Sequence, residues 1–334
     1  MILDRLRLAL QHRGVRASLL FWIIGTALVL LLAHGSLPFD RPSLAGLPFA
    51  VQMAVPTIGM VEILGLIGLT LFLTRHRTIP DMAARAPARR IAARETMLLL
   101  LYAAAGQVGG WILGPALGYR PFGFHVAGSI FGSSMMPPAG EVCCWALYNF
   151  TVFAVVPMML FRLRYDATQL NLRSTNRVSD LRLILAVGAV ESGFTLLTLG
   201  PAMMNLSTRQ WLIGAPVTFV VFFLGTVLPT MVLIYAILLP RYLKLTGSPV
   251  SAAVLGGLTY ASMHVVEGWS RFDSPRDTVL SLALVLFTYF GPGVIKSILT
   301  LRTGNAWVHA LGYHAIAPHT IMDTPLIVNA FHIV

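Results

Sequence analysis

The feature that most constrains this chain is a succession of nine apolar runs, at about 18–34, 48–74, 96–116, 141–161, 181–200, 211–240, 249–266, 277–299 and 303–320. A helix that crosses a bilayer needs roughly 20 apolar residues, so the runs predict transmembrane helices, with the first, seventh and ninth short. Inside a bilayer each backbone donor and acceptor must be satisfied without water, which favours helix for separate runs of this length. The expected fold class is all-α, a polytopic transmembrane helical bundle of about nine spans. Composition agrees: 56% of the 334 residues are hydrophobic and 11% charged, where ordinary soluble domains carry about 25% charged residues.

Charge sets the expected orientation. With the N-terminus in the cytoplasm, nineteen basic residues fall in inside segments and five outside, together all 24 of the chain. Cytoplasmic segments are the basic ones, so the bias predicts an N-in, C-out protein of a bacterial-type inner or plasma membrane. The net charge of +11 is thereby assigned to one-sided basic loops near membrane lipids, and nucleic acid is not an expected partner. The basic start of the chain leads into a retained first helix. The stretch 75–95 is basic and Ala-rich, with spacing suited to a short amphipathic surface helix. The outside stretch 118–140 mixes phenylalanines with glycines and prolines, as a re-entrant or interfacial segment would. Cys143 and Cys144 are adjacent and read as packing residues.

Ionisable residues within spans are costly and mark sites by default. Here they are Glu62, Glu141, Glu191, Glu267 and Asp323, with His264, His309, His314 and His319. For Glu62 and Glu191 the plain reading is a carboxyl bonded to a neighbouring helix. For Glu141 it is a boundary residue, for Glu267 a surface ion pair with Arg271, and for His309 a satisfied carbonyl. His264 and His314 stand out by depth. At about 1.5 Å per helical residue they lie roughly 22 and 17 Å from the cytoplasmic face, with Thr230 at about 15 Å. Three distant segments thus converge at mid-membrane, and histidine suits both acid–base work and metal binding. His309, His314 and His319 are five apart, about 140° per step on an α-helix, and so are not expected on one face.

Several of these residues sit in recognisable surroundings. Tyr260-x-x-x-His264, His314 with its lead-in Arg302-Thr303-Gly304-Asn305-x-Trp307, and the preceding Ile237-Leu238-Leu239-Pro240 follow one another between Pro229 and Asp323. In order and approximate spacing they resemble the CPBP intramembrane proteases, which include the CAAX-processing endopeptidases and abortive-infection proteins. The resemblance implies a CPBP-like core in the C-terminal four spans. It divides the chain into 1–210, N-terminal transmembrane helices with basic cytoplasmic loops, and 211–334, the core. It also implies a catalytic role for His264 and His314, and a divalent metal such as zinc held by His264 and His314, with His319 available nearby. The family's Glu-Glu-x-x-x-Arg motif is missing: Thr230 and Met231 stand at the two glutamates and Tyr235 at the arginine.

Three readings of function follow. The first is a degenerate, non-proteolytic member, a pseudoenzyme that binds membrane-embedded or lipidated proteins or peptides. The second is an active intramembrane endopeptidase that takes its carboxylate from Glu267, three residues after His264, or from Glu191. The third is a transporter with a buried Glu/His proton path.

Overall fold

The computed structural model describes residues 11–35, 37, 48–126, 136–199, 205–267 and 269–334. Their regular secondary structure is all helix, without strands among the described residues. In chain order the helices are α1 (Arg13–Ala33), α2 (Phe49–Leu73), α3 (Arg89–Ala116), α4 (Ala139–Arg162), α5 (Arg177–Leu199), α6 (Thr208–Thr246), α7 (Pro249–Ser262), α8 (Pro275–Thr303) and α9 (306–330). Six of them, α1 to α4, α6 and α8, are long and apolar enough to cross a membrane. The chain is therefore an integral membrane protein built as a helical bundle. The other three expected spans exist as helices, but α7 has 14 residues and α9 is interrupted.

Local sequence explains where these helices begin and turn. Ser248 and Ser274 cap α7 and α8, each accepting from the backbone N–H three residues on, and Pro249 and Pro275 occupy the first turns. Asn305 caps α9 by accepting from the Trp307 N–H at 3.2 Å. Gly304 carries α8 into that cap at φ +63°, in the left-handed region.

The stretch 74–88 corrects one expectation. It is turns and loop, and the helix begins only at Arg89. Its arginines serve as fasteners. Arg85 donates to Asn171 Oδ1 and Gly304 O, both at 2.7 Å. Arg77 pairs with Asp180, whose other oxygen accepts from Asn305 Nδ2 at 2.8 Å. Arg241 donates to Glu95 Oε2 at 2.8 Å, and Tyr165 donates to Glu95 Oε1 at 2.6 Å. The connections after α2, α4 and α8 thus meet at one end of the bundle. There the basic residues find their partners in protein.

Helices α7 and α8 pack closely because small residues face each other. A Cβ on Gly293 would lie 2.7 Å from the Gly257 Cα and from the Tyr260 Cβ, an approach typical of membrane helix pairs. This contact sets Tyr260 of α7 against Tyr289 and Lys296 of α8: the Tyr260 and Tyr289 ring centres are 6.2 Å apart, and the Lys296 ammonium lies 3.6 Å from the Tyr260 ring centre.

Candidate metal centre

Helix α7 ends at Ser262, so His264 and Glu267 lie in the turn that follows, not on one helix face. A second loop, after α3, enters the bundle and meets that turn. Its residues Phe122, Phe124, His125 and Val126 are buried. Trp145 Nε1 and Asn149 Nδ2 donate to Gly123 O at 2.9 and 3.2 Å, and Thr226 Oγ1 donates to Phe124 O at 3.2 Å. Any Cβ at Gly123 would collide with the Val266 carbonyl oxygen, so the two loops touch only because glycine stands there. The described part of the 118–140 stretch is thus an inserted segment, as expected. Residues 127–135 lie outside the described residues.

This contact brings His125 to His264 and Glu267. Ligand atoms of the three lie within 4.8 Å of one another. His125 Nδ1 is 3.3 Å from Glu267 Oε1 and 3.3 Å from the Tyr289 hydroxyl. His264 Nδ1 faces Tyr260 O at 2.7 Å, which assigns the proton to Nδ1 and leaves the lone pair on Nε2. Both His125 Nε2 and His264 Nε2 are buried without a hydrogen-bond partner, as are both Glu267 oxygens by hydrogen-bond geometry. The expected surface pair of Glu267 with Arg271 does not form. The Glu267 side chain is fully buried, and it is the Arg271 backbone that is engaged, with Ser281.

The spacing on α9 is the second correction. His314 and His319 meet, with Nε2 atoms 3.2 Å apart and ring centres 4.9 Å apart. The reason is that α9 is wound as π-helix over Ala310–His314 and Ile316–Ile321. An i→i+5 turn stacks residues five apart that an α-helix would splay. His319 Nδ1 is 3.1 Å from Asp323 Oδ2, and the His319 ring centre is 5.2 Å from that of His125. His314 stands one step back, 3.3 Å from the Tyr260 hydroxyl. His309 is not the satisfied histidine expected of it. Neither ring nitrogen has a hydrogen-bond partner, and the ring packs on Tyr235 with centres 4.2 Å apart.

The donor set fits a divalent ion such as zinc. Imidazoles sharing a tetrahedral zinc through nitrogens at about 2.0–2.1 Å have ring centres roughly 5 Å apart. The observed separations from His125 are 4.7 Å to His264 and 5.2 Å to His319. The far nitrogens of His125, His264 and His319 each face an oxygen, the arrangement that orients metal-bound histidines. A carboxylate as buried as Glu267 is costly without a cation or donors. His125 and His264 thus offer the nitrogen ligands, with Glu267 within reach of the ion and His319 beside them. His314, named from the sequence as a ligand, stands outside that group, with its Nε2 3.2 Å from that of His319.

Thr230 does not face a shared cavity with His264 and His314, as its depth suggested. Its hydroxyl donates to Thr226 O at 2.7 Å within its own helix, and Met231 is buried in the apolar core. Tyr235, at the arginine position, donates to Gly293 O at 3.2 Å. A cavity of about 370 Å³ does reach the cluster, through His125, His314 and His319. Glu191 lines this cavity beside Glu62 and is not on His264. Sequence reading missed His125, Tyr289 and Lys296. The aromatic-flanked Phe122-Gly123-Phe124-His125 in a loop already read as re-entrant was the available signal for the first. No family model matches the chain, and comparison with curated proteins and with solved structures gives no match.

Proposed function

We propose that the protein is an intramembrane hydrolase that cleaves an amide bond in a membrane-embedded or lipidated chain, with Glu267 in place of the carboxylates that a CPBP-type protease carries on α6. One observation carries this reading: a buried carboxylate with unbonded oxygens sits against two imidazoles whose Nε2 lone pairs are also unbonded. Such a group is costly to bury and of no use to packing alone. It is the arrangement a water-activating centre requires.

His125 and His264 would hold the ion through Nε2, with His319, whose Nε2 meets that of His314, beside them. Tyr260 O and Asp323 fix the rings of His264 and His319 by holding Nδ1. A bound zinc ion supplies Lewis acidity and lowers the pKa of a water molecule. Glu267 would accept a proton from the attacking water and pass it to the leaving nitrogen. Phe124 and Tyr289 pack their rings on His264, with centres 5.2 and 3.9 Å away, and keep bulk water out. Substrate reaches His125 and His319 from the cavity.

The experiment is cleavage of a lipidated and a membrane-embedded peptide library by the purified protein. Loss of a positioned general base costs typically 10²–10⁴-fold, so Glu267→Gln should reduce turnover by that factor. His264→Ala should abolish it. Turnover unchanged in both variants would refute the assignment.

A second reading is favoured by Thr230 and Met231, whose side chains are spent on their own helix and on the apolar core. The usual family mechanism is closed to this chain, and a pseudoenzyme would hold a membrane-embedded or lipidated partner in the cavity without cutting it. Partner capture with no turnover in wild type would favour that reading. Nine crossings with the N-terminus in the cytoplasm and the C-terminus outside accord with the gathering of arginine-rich loops at one end of the bundle.

A further inference from the structure

The same cavity carries a second polar group that the hydrolytic chemistry does not use. Glu62 of α2, Glu191 of α5 and Lys296 of α8 all line it. The two carboxyls are within hydrogen-bonding reach of each other. Each keeps one buried oxygen without a partner, Oε1 of Glu62 and Oε2 of Glu191, and Glu191 is only 6% exposed. Lys296 Nζ sits over the Tyr260 ring, 3.6 Å from the centre. What remains unmet is acceptor capacity, and an acceptor calls for an N–H or O–H donor. The walls beside these carboxyls are apolar, formed by Val51, Val55, Ile58 and Phe287. At about 370 Å³ the cavity has the size of a small-molecule site.

We propose that Glu62 and Glu191 bind the primary ammonium end of an amphiphilic amine whose apolar chain lies along α2. A carboxyl–carboxyl hydrogen bond requires a proton on one partner, so the pair holds one proton before the ligand arrives. An entering ammonium takes the place of that proton, both carboxyls become carboxylates, and one proton leaves for solvent. The other charged or titratable groups that line the cavity are Lys296 and Tyr289 of α8, Tyr260 of α7, Tyr313, His314 and His319 of α9, and His125 of the loop after α3. The inference deepens the hydrolase reading, and rests on it only for the consequence that substrate is held by an amino end; the binding itself stands on the cavity.

Binding of decylamine to the full-length protein in nanodiscs, measured by calorimetry against empty nanodiscs, tests the proposal. Titration in two buffers of different ionisation heat should show about one proton released per ligand, as an exchange at the shared carboxyl proton requires. Decyltrimethylammonium has the charge but no N–H, and decanoate has the opposite charge. Both should bind at least about ten-fold more weakly, since hydrogen bonds to a charged group are strong ones. Glu191→Gln and Glu62→Gln should each weaken decylamine about ten-fold or more, while His264→Ala should bind it as wild type does. Decyltrimethylammonium or decanoate binding as well as decylamine would overturn the proposal in the wild-type protein alone, whatever the folding of the variants. So would wild-type affinity in both glutamine variants. Decylamine binding in a wild type that cleaves nothing would sink the hydrolase reading and leave the amine site standing.

Discussion

Glu267 Oε1 lies 3.3 Å from His125 Nδ1, although the two residues belong to loops that follow different helices, α7 and α3. Neither loop is a helix face, and no spacing along the chain relates them. The pairing is made by a backbone contact at Gly123 and Val266, and this makes the site fragile at a residue that carries no chemistry.

Gly123→Ala is accordingly expected to disable the centre. The added methyl meets a backbone carbonyl that cannot rotate away, so the loops must separate. Overpacking of this kind costs about 1–3 kcal/mol. Zinc affinity, read by competition with a chromogenic chelator, should fall at least about ten-fold while circular dichroism still reports a helical protein. An unchanged affinity would place the ion elsewhere.

Zinc affinity should also rank the histidines and their supports. His125→Ala, His264→Ala and Glu267→Gln should each lower it more than His309→Ala, which is outside the set. Asp323→Asn removes only the group that orients His319, a change that typically costs 10–100-fold. Equal effects of His309→Ala and His264→Ala would contradict the assignment.

Inserting an alanine after Ala315 tests the π-helical winding. The added residue sets the two histidines one position further apart, so that neither an α-turn nor a π-turn stacks them, and His319 rotates off His314. The variant is expected to insert and fold but to lose zinc affinity. An insertion variant that keeps full affinity would show that His319 plays no part in binding.

The ion pair of Arg241 with Glu95 predicts a stability effect remote from the site. Both side chains are almost wholly buried. Breaking a buried pair from one side typically costs about 3–5 kcal/mol. Arg241→Met should lower the thermal midpoint in detergent, and adding Glu95→Gln should restore part of the loss. A double variant less stable than the sum of the single changes would reject a pairwise interaction.

The sequence by itself determined that this chain is a bundle of membrane helices and where most of them run. Apolar length and hydrogen-bond satisfaction in lipid are local requirements, read within one segment at a time. The caps at Ser248, Ser274 and Asn305 and the turn at Gly304 are local for the same reason. It also marked His264 and His314 by their depth, and named His319 and Glu267 among the ionisable groups that are costly within a span. Only the tertiary structure decided which of them act together. His314 and His319 meet because α9 is π-wound, a change in helical period that an assumed 3.6 residues per turn conceals. Thr230, placed near the depth of His314 by counting, turns into its own helix, because depth fixes height in the bilayer but not the direction of a side chain. His125 was not marked as a site residue, since a loop has no period from which to infer its neighbours. Its place beside His264 and Glu267 depends on two loops touching through a glycine.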